Sequence, residues 1–331
     1  MDRPRVFVTR RLPGSSMDLL ARRARVDVWP GDLPPPSEEL QRAARTSDGM
    51  VTLLTDLIDQ PLLAAAPNLR VVANVATGYD NIDVEAATRH GVAVTNTPGV
   101  LDDTTADFAF ALLMAAARRV VEADAFVRRG EWQTWSPTLL LGSDIHGATL
   151  GIVGPGRIGM AMARRAVGFN MRLLYHARTR RPNAEAELGL SYRALPELLA
   201  ESDFVSLHVP LTSETRGLIG DDKFDLMKPS AILVNTARGP IVNEDALCSA
   251  LRDGRLAGAA LDVFEEEPLA PGHPLTQFAN VVLAPHLGSA STATRSKMAD
   301  MAIDNCLAVL EGRRPPNCLN PEVLALEAGG R

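Results

Sequence analysis

Short runs of β-branched and aliphatic residues alternate with longer amphipathic segments from one end of the chain to the other, the pattern of parallel sheets built from strand–helix–strand units. In the first hundred residues the apolar runs 6–9, 26–29, 49–54, 70–73 and 92–95 predict five strands. Helical periodicity over 15–23, 38–45 and 84–90 fills gaps between them, with Gly91 placed to end the third helix. The segment 104–121 is apolar nearly all round, which predicts one long helix packed between domains or subunits. An irregular stretch, 128–145, carries Trp132 and Trp135. A second series of runs at 149–153, 171–175, 203–207, 231–235, 258–262 and 281–284 predicts six more strands, enough for a complete dinucleotide fold. The last helix, 291–311, has nothing left to pair with in that sheet and is assigned to the first domain. The Arg313-Arg314-Pro315-Pro316 segment and the glycine-rich end read as a tail. The predicted fold class is α/β: a Rossmann-type doubly wound parallel sheet over residues 102–287, inserted into a smaller flavodoxin-like α/β substrate domain made of 1–101 and 288–331.

Length agrees with two domains, because 331 residues exceed what one hydrophobic core usually serves. With 46% hydrophobic and 22% charged residues and a net charge of −6, the chain has neither the composition of a disordered protein nor the basic face that nucleic acid or an anionic membrane requires. Its three cysteines, Cys248, Cys306 and Cys318, match no disulfide framework and no zinc spacing, so no metal site is expected and a reducing cytoplasm suits the chain. The apolar core near the start, Val6-Phe7-Val8, is too short for a signal peptide, and the run 108–117 is about half a membrane span.

The strand at 149–153 leads straight into Gly154-Pro155-Gly156-Arg157-Ile158-Gly159, and a helical run to Val167, closed by Gly168, leaves it. In that context the G-x-G-x-x-G string describes a dinucleotide site. The first glycine allows the tight turn, the second lets a pyrophosphate reach amides at the helix start, and the third lets the helix lie close on the strand. Pro155 removes one amide and leaves those of Gly156, Arg157 and Ile158 for the phosphates. About 20 residues on, where an acid would hold the adenosine ribose of NAD, stands Tyr175-His176-Ala177-Arg178-Thr179-Arg180-Arg181. The guanidinium of Arg178 and the hydroxyl of Thr179 suit a 2′-phosphate, so NADP(H) is favoured; NAD(H) is the alternative if these arginines only face solvent.

Ligands of open parallel sheets bind beyond the carboxyl ends of the strands. In the second domain those ends carry the glycine loop, Arg178, His208-Val209-Pro210, Arg238, the acids after Asp262, and His286, so the polar residues converge on one edge. Reducing a ketone requires hydride at carbon and a proton at oxygen, and His286 is the side chain suited to donating that proton near neutral pH. A carboxylate beside it, from Glu265, Glu266 or Glu267, would stabilise the imidazolium. Arg238 offers a planar fork for a substrate carboxylate or carbonyl oxygen. In the first domain Asn74-Val75-Ala76-Thr77-Gly78-Tyr79-Asp80 follows a strand, and its amides can hold an anion.

The glycine loop, Asn235-Thr236-Ala237-Arg238-Gly239, the stretch Asp262-Val263-Phe264-Glu265-Glu266-Glu267-Pro268 with the apolar run before it, and Pro285-His286-Leu287-Gly288-Ser289-Ala290 resemble the signatures of the D-isomer-specific 2-hydroxyacid dehydrogenase family. The resemblance extends over about residues 4–321. Within that family, Asp80-Asn81-Ile82-Asp83, Gly130-Glu131-Trp132 and Ala177-Arg178-Thr179 are similar to the glyoxylate and hydroxypyruvate reductases. The resemblance implies His286 as acid/base, Glu267 as its carboxylate partner, Arg238 as substrate anchor, and Thr77 and Gly78 against the substrate carboxylate. It implies a dinucleotide held by Gly154, Pro155, Gly156, Arg157, Ile158, Gly159, Ala177, Arg178, Thr179, Val209, Pro210, Thr236, Ala237, Asp262, His286 and Gly288. D-stereochemistry and a homodimer follow from it too, with the 104–121 helix the predicted interface. Two positions depart from the pattern: Pro155 replaces an apolar residue, and Ala177 stands where related reductases often carry serine.

The expected activity is reduction of a small 2-oxoacid, glyoxylate or hydroxypyruvate, to the D-2-hydroxyacid in a cleft between the domains. Two alternatives stand beside it: a D-2-hydroxyacid dehydrogenase of different specificity using NAD, and a non-catalytic dinucleotide-sensing scaffold like the corepressors that resemble this family. The chain shows no long disordered flanks for recruiting partners, which favours an enzyme.

Overall fold

A computed structural model describes residues 3–324. The chain divides into two compact units, one formed by Met1–Leu101 with Ala290–Arg331, the other by Asp102–Ser289.

In the first unit β1 (Arg5–Val8), β2 (Arg25–Val28), β3 (Gly49–Thr52), β4 (Val71–Asn74) and β5 (Ala93–Thr95) alternate with α1 (Ser16–Arg23), α2 (Ser37–Thr46), α3 (Gln60–Ala64) and α4 (Val84–Arg89). The strands lie parallel in the order β2-β1-β3-β4-β5, the flavodoxin arrangement expected from the sequence. Every residue of β3 and β4 is buried, as central strands covered on both faces must be. One face packs Met50, Val72 and Val94 against Leu40, Leu62, Leu63 and Ala86 of α2, α3 and α4.

The second unit holds β6 (Thr149–Val153), β7 (Arg172–His176), β8 (Ser191–Tyr192), β9 (Phe204–Leu207), β10 (Ile232–Asn235), β11 (Gly258–Leu261) and β12 (Val281–Leu283). Their order is β12-β11-β10-β9-β6-β7-β8, so the winding reverses between β6 and β9, and ligands of such sheets bind at that reversal. The sheet has seven strands where the sequence predicts six. The unpredicted β8 is a two-residue edge strand, too short for alternation to show. The unit's helices are α5 (Asp102–Ala117), α6 (Val120–Arg128), α7 (Arg157–Val167), α8 (Pro182–Leu188), α9 (Leu195–Glu201), α10 (Asp221–Phe224) and α11 (Glu244–Arg252).

The segment predicted as one long helix is thus two. The Ser143 amide donates to the Ala117 carbonyl at 2.8 Å, and Gly142 approaches so closely that a Cβ there would lie 2.3 Å from the same oxygen. With that carbonyl taken, Arg119 adopts a left-handed φ of 53° and a new helix begins. α5 packs on α7, β10, β11 and β12 of its own unit, burying Ala106, Ala109, Phe110 and Leu113, so its apolar girth is core. Val120, Val121 and Val127 of α6 and Trp132, Trp135, Leu139 and Leu141 beyond it are left in solvent, half of the exposed large hydrophobics among the described residues.

The last helix, α12 (Thr292–Leu310), covers β3, β4 and β5 on the first sheet. Ser291 caps its start by accepting the Thr294 amide at 3.1 Å, and Arg70 donates to the Val309 and Leu310 carbonyls at 3.0 and 3.1 Å at its end. The residues after it, read as a tail, are instead built into the unit. Cys318 bridges Thr95 in antiparallel fashion, and Asn320, 1% exposed, accepts the Val94 amide at 2.8 Å while donating to the Val92 carbonyl at 2.9 Å. The glycine-rich end lies outside the described residues. No helix among those described is long and apolar enough to cross a membrane.

Asn320→Ala strands a buried amide and a buried carbonyl. It is expected to cost about 1–3 kcal/mol, seen as a lower urea midpoint with an unchanged slope. An unaltered midpoint would show that the 313–320 segment contributes nothing to the sheet.

Candidate active site

The carboxyl ends of the second sheet's strands carry the residues that the sequence singled out: Gly154 after β6, Arg178 after β7, His208 after β9, Arg238 after β10, Asp262 to Glu267 after β11, and His286 after β12.

Each glycine of the first loop is required for a different reason. Gly154 has φ +93°, and a Cβ there would sit 2.8 Å from the His208 carbonyl oxygen. A Cβ on Gly159 would come within 2.4 Å of the Gly154 carbonyl oxygen, whereas one on Gly156 would meet no protein atom within 4 Å. The open side at Gly156 leaves room for a ligand to approach the backbone, and the Arg157 and Ile158 amides begin α7 without helical acceptors. The Gly156 amide, expected to face the phosphates, turns inward to the Gly154 carbonyl at 2.8 Å. His208 backs this loop with its Nε2 2.8 Å from Ser206 Oγ. Burial pushes its imidazole down to about 4, so it is uncharged at neutral pH.

After β7 no acid appears through Arg181. Arg178 is 89% exposed and lies 3.4 Å from Glu214, itself 70% exposed. Arg180 is tied to Glu185 at 2.7 and 3.1 Å, so the two arginines are not equivalent. A groove of about 630 Å³ runs past Thr179, Arg180 and Arg181 beside Arg164 of α7.

Asn235 shapes the turn after β10 by accepting the Ala237 amide at 3.1 Å and donating to the Arg238 carbonyl at 2.9 Å. The sequence signal for this role is an Asn at a strand end followed by a tight turn. Thr236 has a buried hydroxyl with no protein partner. Asp262, 1% exposed, accepts the Leu287 and Gly288 amides at 2.6 and 2.7 Å, and its carbonyl takes the His286 amide at 2.9 Å. These bonds hold His286 at a left-handed φ of 55°, a conformation that costs a non-glycine residue about 1–3 kcal/mol. Asp262, which the family resemblance places among the dinucleotide's contacts, anchors the loop that displays the histidine.

His286 Nδ1 lies 2.7 Å from Glu267 Oε2, and the other Glu267 oxygen accepts the Phe264 amide at 3.1 Å. A carboxylate only accepts, so Nδ1 donates and Nε2 remains for chemistry. Geometry separates the three candidate acids: Glu265 accepts the Glu244 amide, Glu266 is exposed, and Glu267 meets the imidazole. Burial works to raise the Glu267 pKa, but the His286 hydrogen bond and charge, the Phe264 amide and the Arg238 guanidinium outweigh it, and the carboxyl sits below its ordinary range. It is ionised at neutral pH.

In the first unit, the loop after β4 is held by its carbonyls. Asn96 donates to the Thr77 carbonyl at 2.8 Å, Asn74 donates to that of Gly78 at 3.1 Å, and the Thr77 hydroxyl donates to the Thr97 carbonyl at 3.0 Å. The Thr77 and Gly78 amides donate to no protein acceptor among the described residues.

Residues 110–288 match the family model described as D-isomer specific 2-hydroxyacid dehydrogenase, NAD binding domain. The chain belongs to the D-isomer-specific 2-hydroxyacid dehydrogenase family. It is 55% identical to a glyoxylate reductase of Aeropyrum pernix over 334 aligned positions, the full length of both proteins. The TT0316 protein of Thermus thermophilus superposes with a TM-score of 0.91 at 50% identity, over 95% of this chain and 99% of that one. An NADPH-dependent glyoxylate/hydroxypyruvate reductase of Sinorhizobium meliloti, solved with NADP and malonate, gives 0.83 at 33% identity, over 96% and 97%. This 2-hydroxyacid dehydrogenase therefore works with a nicotinamide dinucleotide, and its residues fit one: a glycine cradle open at Gly156, two free amides at the start of α7, and the unpartnered Thr236 hydroxyl.

Gly156→Ala is expected to leave the melting temperature nearly unchanged while weakening dinucleotide binding roughly tenfold or more. Gly159→Ala should lower both. Equal dinucleotide Kd for Gly156→Ala and the unaltered enzyme, measured by fluorescence titration, would remove the pyrophosphate from that loop.

Proposed function

We propose that this dehydrogenase is an NADPH-preferring reductase of glyoxylate and hydroxypyruvate that forms the D-2-hydroxyacid. The observation that carries this reading is the 2.7 Å pairing of His286 with an ionised Glu267 whose carboxyl also feels Arg238, at the ligand-binding edge of a dinucleotide sheet. When bound, the dinucleotide supplies the hydride. Arg238 is assigned the oxoacid's carboxylate, and in the first unit the Thr77 and Gly78 amides, which donate to no protein acceptor among the described residues, are assigned to an anionic group. The His286 imidazolium gives its Nε2 proton to the ketone oxygen as hydride reaches the carbon, and Glu267 stabilises the charge on the ring until that proton leaves.

The preference for NADPH is supported by the missing acid after β7 and by Arg178. Its exposed pair with Glu214 contributes little and can yield to a 2′-phosphate. The S. meliloti relative, which shares the fold, was solved with NADP. A second copy of the chain is the partner proposed for α6 and the tryptophan segment, because seven large apolar side chains between Val120 and Leu141 are left exposed, as at interaction sites, and homodimers are the commonest assemblies. The three unpaired cysteines suit a reducing cytoplasm.

With glyoxylate, kcat/KM for NADPH should exceed that for NADH. Arg178→Ala is expected to lower the NADPH value roughly tenfold or more and leave the NADH value nearly unaltered; an enzyme faster with NADH overturns the cofactor assignment. His286→Asn is expected to bind NADPH normally and to lose about 10²-fold or more in kcat. An unchanged kcat would remove His286 from its role.

A further inference from the structure

The chain segments bearing Arg238 and Glu267 are locked together by two glutamates outside the reacting set. Gly239, next to Arg238, lies against the backbone of the acidic segment so closely that a Cβ on it would sit 1.9 Å from the Phe264 carbonyl oxygen. Contact that close tolerates no lateral slip, and something must fix its register. Glu244, first residue of α11, accepts the Glu265 amide at 2.7 Å through Oε1. Glu265 returns the bond, accepting the Glu244 amide at 3.1 Å through its own Oε1. The result is a two-way exchange of carboxylate for amide between the segment that follows Arg238 and the segment that ends in Glu267.

The second oxygen of Glu244 is also occupied. His273 Nε2 stands 3.4 Å from Oε2, while its Nδ1 accepts the Leu275 amide at 3.3 Å. With Nδ1 an acceptor, the ring carries its proton on Nε2, facing Glu244, even when uncharged. Glu244 is 8% exposed, and burial raises its carboxyl above the ordinary range against the pull of the Glu265 amide and His273. A carboxylate held in so dry a place, with both oxygens engaged and no part in the reaction, needs a reason to be there.

We propose that Glu244 and Glu265 are positioning residues for the reduction: by capturing each other's backbone amide they set the register of the Arg238 segment against the Glu267 segment, with His273 closing the clamp on the second Glu244 oxygen. Neither glutamate touches substrate. Each acts through Arg238, which orients the oxoacid, and Glu267, which holds His286. This assignment rests on reading His286 and Glu267 as the proton-donating pair.

The test uses the full-length enzyme with glyoxylate and its preferred dinucleotide. It compares Glu244→Ala, Glu244→Gln, Glu265→Ala and the double alanine variant in kcat, glyoxylate KM, dinucleotide Kd and melting temperature. Glu244→Ala should lose about tenfold or more in kcat/KM for glyoxylate, with the dinucleotide Kd within about twofold. Glu244→Gln keeps an acceptor oxygen for the Glu265 amide and should recover most of that loss, which a mere need for bulk or charge would not predict. The exposed Glu265→Ala should fold normally, lose less, and add little to Glu244→Ala, because either change breaks the same exchange. Normal kcat/KM in folded Glu244→Ala overturns the proposal. If Glu244→Ala does not fold, normal kcat/KM in Glu265→Ala overturns it instead. Losses that are fully additive, or that Gln does not rescue, overturn it as well. A kcat unchanged in His286→Asn sinks the underlying catalytic reading separately, whatever the glutamate variants show.

Discussion

Every strand paired with another strand among the described residues runs parallel to it, and a parallel sheet puts the carboxyl ends of all its strands on one edge. The crossover helices that connect such strands cover both faces, so the faces become core and only the edges remain for chemistry. Gly154, Arg238, Glu267 and His286, far apart in sequence, share a location because each is the next thing the chain does after leaving a strand. The reversal of winding between β6 and β9 opens that edge at the glycine loop.

A shared edge brings residues near one another without fixing their orientation. Here orientation comes from polar side chains that accept backbone amides: Asn235 on the Arg238 turn, Asp262 on the His286 loop, Glu244 and Glu265 on each other's segments. The two acids nearest the histidine are driven in opposite directions. Burial pushes Asp262 up against the two amides it accepts, while for Glu267 the imidazole and guanidinium overcome burial and hold it down. Glu267 is thus kept ready as an anion, and the work of Asp262 is done by its geometry.

Most of the architecture was legible in the sequence, because continuous apolar strands and glycines at turns are local signals. Both sheets and the loop after β6 follow from them. What was not legible depends on residues distant in the chain. The break after α5 is made by Gly142 and Ser143 returning to Ala117, so no property of the 104–121 segment announces it. The supposed tail is held by Asn320 on β5, a contact invisible to composition. Three adjacent glutamates look alike as letters; the resemblance to a family picked Glu267, and the separate partners of Glu265 and Glu267 now supply the physical distinction. The inward turn of the Gly156 amide is not legible either, because a motif gives the order of glycines and not the direction of their N–H groups.

The division of the chain also imposes an order of events during synthesis. The first unit's sheet is complete in sequence by β5, yet the helix that covers β3, β4 and β5 on one face is α12, on the far side of Asp102–Ser289. At about 5–20 residues per second, a ribosome needs on the order of 10 s or more to make the intervening segment. For that interval an exiting β-sheet lacks its cover, while the later-made unit holds all of its own strands and helices and can close first. Of the two units, the one translated earlier therefore has the longer exposure to chaperones and to misassociation.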